Sequence, residues 1–151
     1  MIVPDLNLLV HAYNAGSPVH SAARTWWEEI LSRPAPMVGL PWVVVLGYIR
    51  LTTHPRIMDQ PLTPASACSD VEAWLAQPQV TLLHPGTRHA ATLFHLLRGL
   101  GTAGNLTTDA HLAALAMEYQ ATLHTTDADF ARFPGLRWEN PLEGVSGPRP
   151  S

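Results

Sequence analysis

Short apolar runs alternate with longer amphipathic segments along this chain of 151 residues. The short runs predict strands, and segments whose apolar residues recur near a 3.6-residue period predict helices. Strands are predicted at residues 1–3, 37–40, 80–83 and 121–124, with an edge strand at 136–138. Helices are predicted at residues 7–13, 20–32, 42–53, 64–76, 87–100 and 108–119, and a short helical turn at 127–133. This alternation is typical of an α/β fold, here a three-layer α/β/α structure with a mainly parallel central sheet.

The chain has no internal repeat and no evident domain boundary, and its length suits one domain with its own core. We therefore expect a single domain over residues 1–143 and a disordered tail over residues 144–151, which read GVSGPRPS. The sequence has neither a signal peptide nor a run of about 20 apolar residues. We expect a cytoplasmic protein that does not contact a membrane.

Arginine supplies all of the basic charge, because the chain has nine arginines and no lysine. The missing lysine excludes P-loop NTPases, kinases and Schiff-base enzymes. Any phosphate must therefore be bound by guanidinium groups, which bind it bidentately. The net charge of -3 argues against a general polyanion binder, so contact with nucleic acid requires a local positive cluster. The single cysteine, Cys68, excludes an intrachain disulfide and a cysteine zinc site.

Carboxylates follow the predicted first and fourth strands. Asp5 comes after the first strand, Asp127 and Asp129 follow the fourth, and Asp109 lies in the first turn of a predicted helix. Ligands bind beyond the carboxyl ends of strands in open α/β sheets, so these side chains converge if the two strands are neighbours. Their repulsion favours a divalent cation, and oxygen ligands suit Mg²⁺ or Mn²⁺.

Each of these carboxylates also has an ordinary structural explanation. Asp109 alone is a common first-turn helix residue, and Asp127 or Asp129 alone suits the cap of a turn. Asp5 is the exception, because neither a turn nor a helix end obviously requires it. The combination of residues is thus a more specific signal than any member.

Four segments resemble the motifs of a known family and occur in the same order along the chain. They are MIVPDLNLLVHAYN, GLPWVVVLGYIRLTTHPRIM, GNLTTDAHLAALA and TTDADFARFPGLRWENPL. Together they resemble the PIN-domain ribonucleases, specifically the VapC-type toxins of bacterial toxin–antitoxin systems. The resemblance extends from Met1 to about Leu142. It implies a PIN fold and a metal-dependent endoribonuclease that hydrolyses phosphodiester bonds in tRNA or another structured RNA. It also implies a cognate VapB-type antitoxin and a homodimer.

The family pattern assigns the site residue by residue. Its aspartates fall on Asp5, Asp109 and Asp127, which would be catalytic and would bind Mg²⁺ or Mn²⁺. Its polar positions fall on Asn7 and Thr126, which would orient the carboxylates and a water molecule.

Arg50 and Asp129 are further candidates for this site. Arg50, on the predicted helix that faces it, is a candidate for binding a substrate phosphate and equally a surface or ion-paired arginine. Asp129 is a candidate supporting carboxylate.

The chain departs from the family pattern at or near Gly47, where the family has glutamate. No acidic residue lies between Glu29 and Asp59, so the site lacks one carboxylate unless Asp129 or a remote acidic residue compensates. Gly47 is either a vacant ligand position or a point where another element approaches the backbone closely. A second possible function is therefore a PIN-fold protein with weakened catalysis that binds RNA or an antitoxin. An aspartate-dependent phosphatase ranks lower, because residues 5–7, which read DLN, supply one carboxylate where such an enzyme needs the two of a DxD pair.

Overall fold

A computed structural model describes residues 1–143 and 145–146. Its strands are β1 (Ile2–Pro4), β2 (Val38–Pro41), β3 (Val80–Leu83), β4 (Thr122–His124), β5 (Arg137–Asn140) and β6 (Val145–Ser146). Its helices are α1 (Leu6–Tyr13), α2 (His20–Ser32), α3 (Trp42–Thr52), α4 (Pro64–Leu75), α5 (His89–Arg98) and α6 (Leu106–Glu118), with a 3₁₀ turn at Ala128–Arg132. Every predicted element is found, and no end differs by more than two residues.

The strands form one sheet in the order β3-β2-β1-β4-β5-β6. The first five strands in this order are parallel, and β6 pairs antiparallel with β5. The predicted three-layer α/β/α fold with a mainly parallel sheet is confirmed. Residues Ile2–Pro4 pair with Thr122–His124, so the first and fourth predicted strands are neighbours. The carboxyl ends of β1 and β4 therefore meet at the same edge of the sheet.

The C-terminal edge of the sheet differs from the prediction. β5 was predicted as the edge strand, but it lies between β4 and β6 because Val145–Ser146 pair with it. These two residues belong to the segment predicted as a disordered tail. The rest of that segment, residues 144 and 147–151, lies outside the described residues.

A cluster of aromatic side chains fixes the first four helices relative to one another. The Trp74 ring of α4 lies 4.7 Å from Tyr48 of α3 and 5.5 Å from both Trp27 of α2 and Tyr13 of α1, between ring centroids. The Trp74 indole N–H also donates to the Tyr13 hydroxyl at 2.8 Å. Aromatic pairs of this kind add about 0.5–1.5 kcal/mol each to the energy of burial. The two helices that begin at the carboxyl edge of the sheet, α1 and α3, are thereby held in one position.

Helices α5 and α6 pack against each other. His89, the first residue of α5, has its Nε2 atom 2.8 Å from His111 Nδ1 and its Nδ1 atom 3.9 Å from Glu118 Oε2, at the end of α6. The start of α5 therefore lies against the middle and the end of α6. Thr107 and Thr108, which suit a helix N-cap, lie inside the first turn of α6, because this helix begins at Leu106 after Asn105.

Over the ranges 1–143 and 145–146, none of the helices has the length and apolarity needed to cross a membrane.

Candidate functional site

A cavity of about 120 Å³ lies where the carboxyl ends of β1 and β4 meet the starts of α1, α3 and α6. Its polar lining includes four of the predicted site residues, Asp5, Asn7, Asp109 and Asp127. Its other lining residues are Leu6, Val43, Val44, Thr108 and Leu112. The structure thus brings together side chains that are up to 122 positions apart in the sequence.

Asp5 is fixed by three hydrogen bonds. Its Oδ1 atom accepts from the Leu6 N–H at 2.7 Å and caps α1, and its Oδ2 atom accepts from the Thr125 hydroxyl at 2.7 Å. Its own N–H donates to the His124 carbonyl at 2.8 Å, which links β1 to β4. The expectation that no helix end requires Asp5 is therefore wrong.

The environment of Asp5 opposes its ionisation. The pKa of Asp5 is raised from 3.8 to about 6, chiefly by burial, although the hydrogen bonds from Thr125 and Leu6 act in the opposite direction. The charges of Asp109 and Asp127 contribute a smaller part of this rise. A carboxylate in this position is stabilised by a nearby cation.

Asp109 and Asp127 complete the acidic lining. Asp109 lies in the first turn of α6, as predicted, and its pKa is raised first by burial and then by the charges of Asp127 and Asp129. Asp127 caps the 3₁₀ turn, because its Oδ1 atom accepts from the Asp129 N–H at 2.8 Å. Its predicted capping role is confirmed, and it still lines the cavity.

The hydroxyl group that links the Asp5 carboxylate to the Asp127 backbone belongs to Thr125, the residue before the predicted Thr126. The buried Thr125 donates to Asp5 and accepts from the Asp127 N–H at 3.0 Å. Thr126 is half-buried and does not line the cavity.

Two other predicted residues also lie outside the cavity lining. Arg50 is exposed in the last turn of α3, whereas Val43 and Val44 of the first turn face the cavity. Arg50 is seven residues beyond Val43, which corresponds to roughly 10 Å along the helix axis. Asp129 is exposed, and its Oδ1 atom lies 3.6 Å from Arg132 Nε.

The carboxylates fit a hydrated divalent cation better than a fully protein-coordinated one. Across the part of the chain that the structure describes, no three His, Cys, Asp or Glu side chains are placed to hold one ion together. Mg²⁺ keeps several waters and is commonly bound through one or two carboxylates. The mutual repulsion of Asp5, Asp109 and Asp127 and their all-oxygen chemistry suit that mode of binding.

Comparison with known proteins identifies the family. Residues 2–136 match the PIN domain family. The chain is 44% identical to ribonuclease VapC33 of Mycobacterium tuberculosis over 142 residues, which cover 94% of this chain and 99% of that protein. The chain belongs to the VapC-type PIN-domain proteins. The predicted family is therefore confirmed.

Solved structures agree on the PIN fold. VapBC2 from Rickettsia felis, bound to a DNA fragment from its promoter, matches with a TM-score of 0.65 and 19% identity over 93% of this chain and 98% of that chain. VapC20 of M. tuberculosis, a toxin that cleaves the sarcin–ricin loop, matches with a TM-score of 0.63 and 18% identity over 87% of this chain and 93% of that chain. At this level of identity the likeness concerns the fold alone.

Gly47 of this PIN domain lies against α1. A Cβ atom placed on Gly47 would lie 2.5 Å from Leu6 Cδ2 and 3.2 Å from Leu6 Cδ1. Leu6 also lines the carboxylate cavity. Of the two interpretations of Gly47, the structure favours close approach of another element, because the leucine side chain fills the space that a larger residue would enter.

We expect Gly47→Glu alone to lower the free energy of unfolding by about 1–3 kcal/mol, because the new side chain overpacks against Leu6. Adding Leu6→Ala should recover part of this loss and allow the glutamate to reach the cavity. Urea unfolding and calorimetric titration with Mn²⁺ measure both effects, with Leu6→Ala as the control. Tighter Mn²⁺ binding by a stable Gly47→Glu single variant would contradict the packing explanation.

Proposed function

We propose that this chain is a metal-dependent endoribonuclease toxin that hydrolyses phosphodiester bonds in tRNA or another structured RNA. The observation that carries the proposal is the convergence of Asp5, Asp109 and Asp127 on one cavity at the carboxyl edge of the sheet. The names of its relatives support it, because VapC33 is called a ribonuclease and VapC20 a toxin that cleaves the sarcin–ricin loop.

Asp5, Asp109 and Asp127 are the proposed ligands of Mg²⁺ or Mn²⁺, with one or two of them in direct contact and the others acting through water. The bound cation supplies positive charge for the phosphoryl oxygens and increases the acidity of water.

The protein contributes orientation and a low-dielectric wall to this chemistry. Thr125 holds the Asp5 carboxylate and the Asp127 backbone through one hydroxyl group, and the α1 cap fixes the other oxygen of Asp5. Val44 and Leu112 are buried side chains in the cavity wall, so water is excluded there and the charges interact more strongly.

Other predicted residues have supporting roles in the proposal. Asn7 lines the same cavity and is a proposed donor to a carboxylate or a water molecule. The charge of Asp129 acts on Asp109. The roles predicted for Thr126 and Arg50 stay predictions, since neither side chain lines the cavity.

We also propose that a cognate VapB-type antitoxin neutralises the chain in the cytoplasm. The fold match to VapBC2, solved on DNA from its own promoter, supports a paired partner. A homodimer is part of the proposal, and exposed apolar residues on α3 support it. Trp42 and Leu46, one turn apart, leave 45% and 61% of their surfaces exposed.

Removal of metal tests the proposed activity. The purified chain should cleave structured RNA in Mg²⁺ or Mn²⁺ and should stop when EDTA is added. A cation at ten times its Kd stabilises the native state by about 1.4 kcal/mol, which corresponds to a rise in Tm of roughly 3–6 °C. The rise in Tm on adding the cation should be smaller in Asp5→Asn than in the wild type. An equal rise in both proteins would mean that the cation binds elsewhere.

A binding protein with weakened catalysis is the second candidate function. Two observations favour it: the glycine at position 47, and the lack of a three-ligand cluster among residues 1–143 and 145–146. Binding of RNA or antitoxin without cleavage in either metal would support this candidate and contradict the endoribonuclease.

A further inference from the structure

A second cavity, of about 310 Å³, lies between the end of α5 and the segment that follows the 3₁₀ turn. It is lined by His95, Leu96, Arg98, Gly99, Arg132 and Pro134. Two arginines and a histidine face this cavity, and its lining, within the described part of the chain, includes no carboxylate. In a chain of net charge -3, this is a local positive cluster of the kind that contact with nucleic acid requires.

Both arginines are available to an external ligand. Arg98 is exposed, and the ion pairs of arginine among the described residues involve Arg24, Arg33 and Arg132. Arg132 pairs with Asp129 at 3.6 Å, and both side chains are more than half exposed. An exposed pair of this kind contributes little to stability, so Arg132 can exchange the carboxylate of Asp129 for another anion at little cost.

The second cavity lies beside the carboxylates. The 3₁₀ turn begins directly after Asp127, which lines the carboxylate cavity, and ends at Arg132, which lines the second one. Five residues of 3₁₀ helix span roughly 10 Å. On the other side, α5 ends at Arg98, and only residues 99–105 separate it from α6, whose first turn carries Asp109.

We propose that His95, Arg98 and Arg132 form a subsite for a backbone phosphate of the RNA substrate, a few nucleotides from the bond that is cleaved. The proposal rests on the proposed ribonuclease function. A stacked strand advances about 3.4 Å per nucleotide, so the span of the 3₁₀ turn matches about three nucleotides. Guanidinium groups bind phosphate oxygens through two parallel N–H bonds, and two of them here hold one strand in register with the carboxylates.

Binding of RNA without metal tests the subsite separately from cleavage. A fluorescein-labelled single-stranded RNA of 12 nucleotides is titrated with the full chain in EDTA, and its anisotropy is followed at several salt concentrations. The variants are Arg98→Gln, Arg132→Gln and the double variant. Arg56→Gln is the matched control, because Arg56 is exposed and follows the end of α3 that lies away from the carboxylate cavity.

Each cavity substitution should raise the Kd for RNA about tenfold at low salt, the effect of losing one charge-assisted hydrogen-bonded contact. The slope of log K against log salt should fall by about 0.7 for each lost contact and by about 1.4 in the double variant. Arg132→Lys should keep the wild-type salt slope but bind RNA more weakly, because lysine retains the positive charge without the two parallel N–H donors of the guanidinium group. Asp129→Asn should bind RNA more tightly than Asp59→Asn, since it releases Arg132.

The subsite is rejected if the double variant binds RNA with the Kd and salt slope of Arg56→Gln. It is also rejected if RNA affinity is unchanged while affinity for the cognate antitoxin falls, which would assign the cavity to a protein contact. Failure of the proposed function looks different, because RNA would still bind through the arginines but no metal would induce cleavage. Matching thermal unfolding curves would show that the exposed substitutions leave the fold intact.

Discussion

Asp109→Asn lowers the rate of RNA cleavage by a factor of about 100–1,000, the cost typical of removing one preorganised electrostatic group from an active site. Expression of this variant in cells should no longer be toxic. The side chain lies in the cavity wall, where its carboxylate is a proposed cation ligand, whereas asparagine has the same shape and no charge. Initial rates with a labelled RNA in Mg²⁺ or Mn²⁺ measure the loss.

Asp127→Asn and Asp5→Asn should lose activity to a similar extent, although the three positions differ in structure. The Asp127 side chain also caps the 3₁₀ turn, and asparagine is an equally good cap. Asp5 caps α1 and accepts from Thr125. No hydrogen bond to the Asp109 side chain is found among the described residues, so substitution at this position has the fewest structural side effects.

Asp59→Asn is the matched control for these variants, because Asp59 is exposed and does not line the carboxylate cavity. It should cleave RNA at the wild-type rate and remain toxic. Full activity in any two of the three cavity variants would refute the assignment of the site.

The sequence contains enough information to predict the convergence of Asp5, Asp109 and Asp127, given one assumption about topology. Each residue follows a strand or enters a helix, and the carboxyl ends of parallel strands share an edge. That β1 and β4 are neighbours is a long-range pairing that no local spacing reveals.

The choice between Thr125 and Thr126 depends on a finer detail. Successive side chains of a strand point to opposite faces, so a shift of one residue reverses the orientation. Thr125 and Thr126 are the first two residues after β4, and the hydrophobic pattern around them does not fix which hydroxyl faces Asp5. Only the placement of Asp5 against the end of β4 identifies Thr125.

Arg50 and the second cavity are two further features whose positions cannot be predicted from the sequence. The sequence places Arg50 on the helix that faces the site, but it does not indicate that only the first turn of α3 meets the cavity. Arg98 and Arg132 lie on different elements, 34 positions apart in the sequence. Their meeting depends on how the end of α5 packs against the 3₁₀ turn after β4, which is a tertiary property.

Asp5→Asn makes the metal-free protein more stable at neutral pH, and its advantage grows with pH. The pKa of Asp5 is about 6 in the folded protein and 3.8 when unperturbed. The folded state therefore holds this proton more tightly than the unfolded chain does. The neutral carboxyl stabilises the native state fully below about pH 3.8, and this contribution is lost as the pH rises through about 6.

The size of the effect follows from the same two pKa values. A tenfold difference in proton affinity corresponds to about 1.4 kcal/mol, so ionisation of Asp5 destabilises the native state by about 3 kcal/mol. Asparagine cannot ionise, but it accepts through only one oxygen, and losing a hydrogen bond from Leu6 or Thr125 costs about 1 kcal/mol. We therefore expect the variant to be about 2 kcal/mol more stable than the wild type at pH 7 and not more stable at pH 4.

Urea unfolding in EDTA from pH 4 to pH 8 measures this difference for Asp5→Asn and for the exposed control Asp59→Asn, which should show none. A difference that does not change with pH would mean that Asp5 is not the titrating group. Adding Mg²⁺ at pH 7 gives the second half of the test. The cation stabilises the charged wild-type site and binds the variant less well, so the advantage of Asp5→Asn should shrink as Mg²⁺ is added. If the advantage survives saturating Mg²⁺, the buried carboxylate is not part of a metal site.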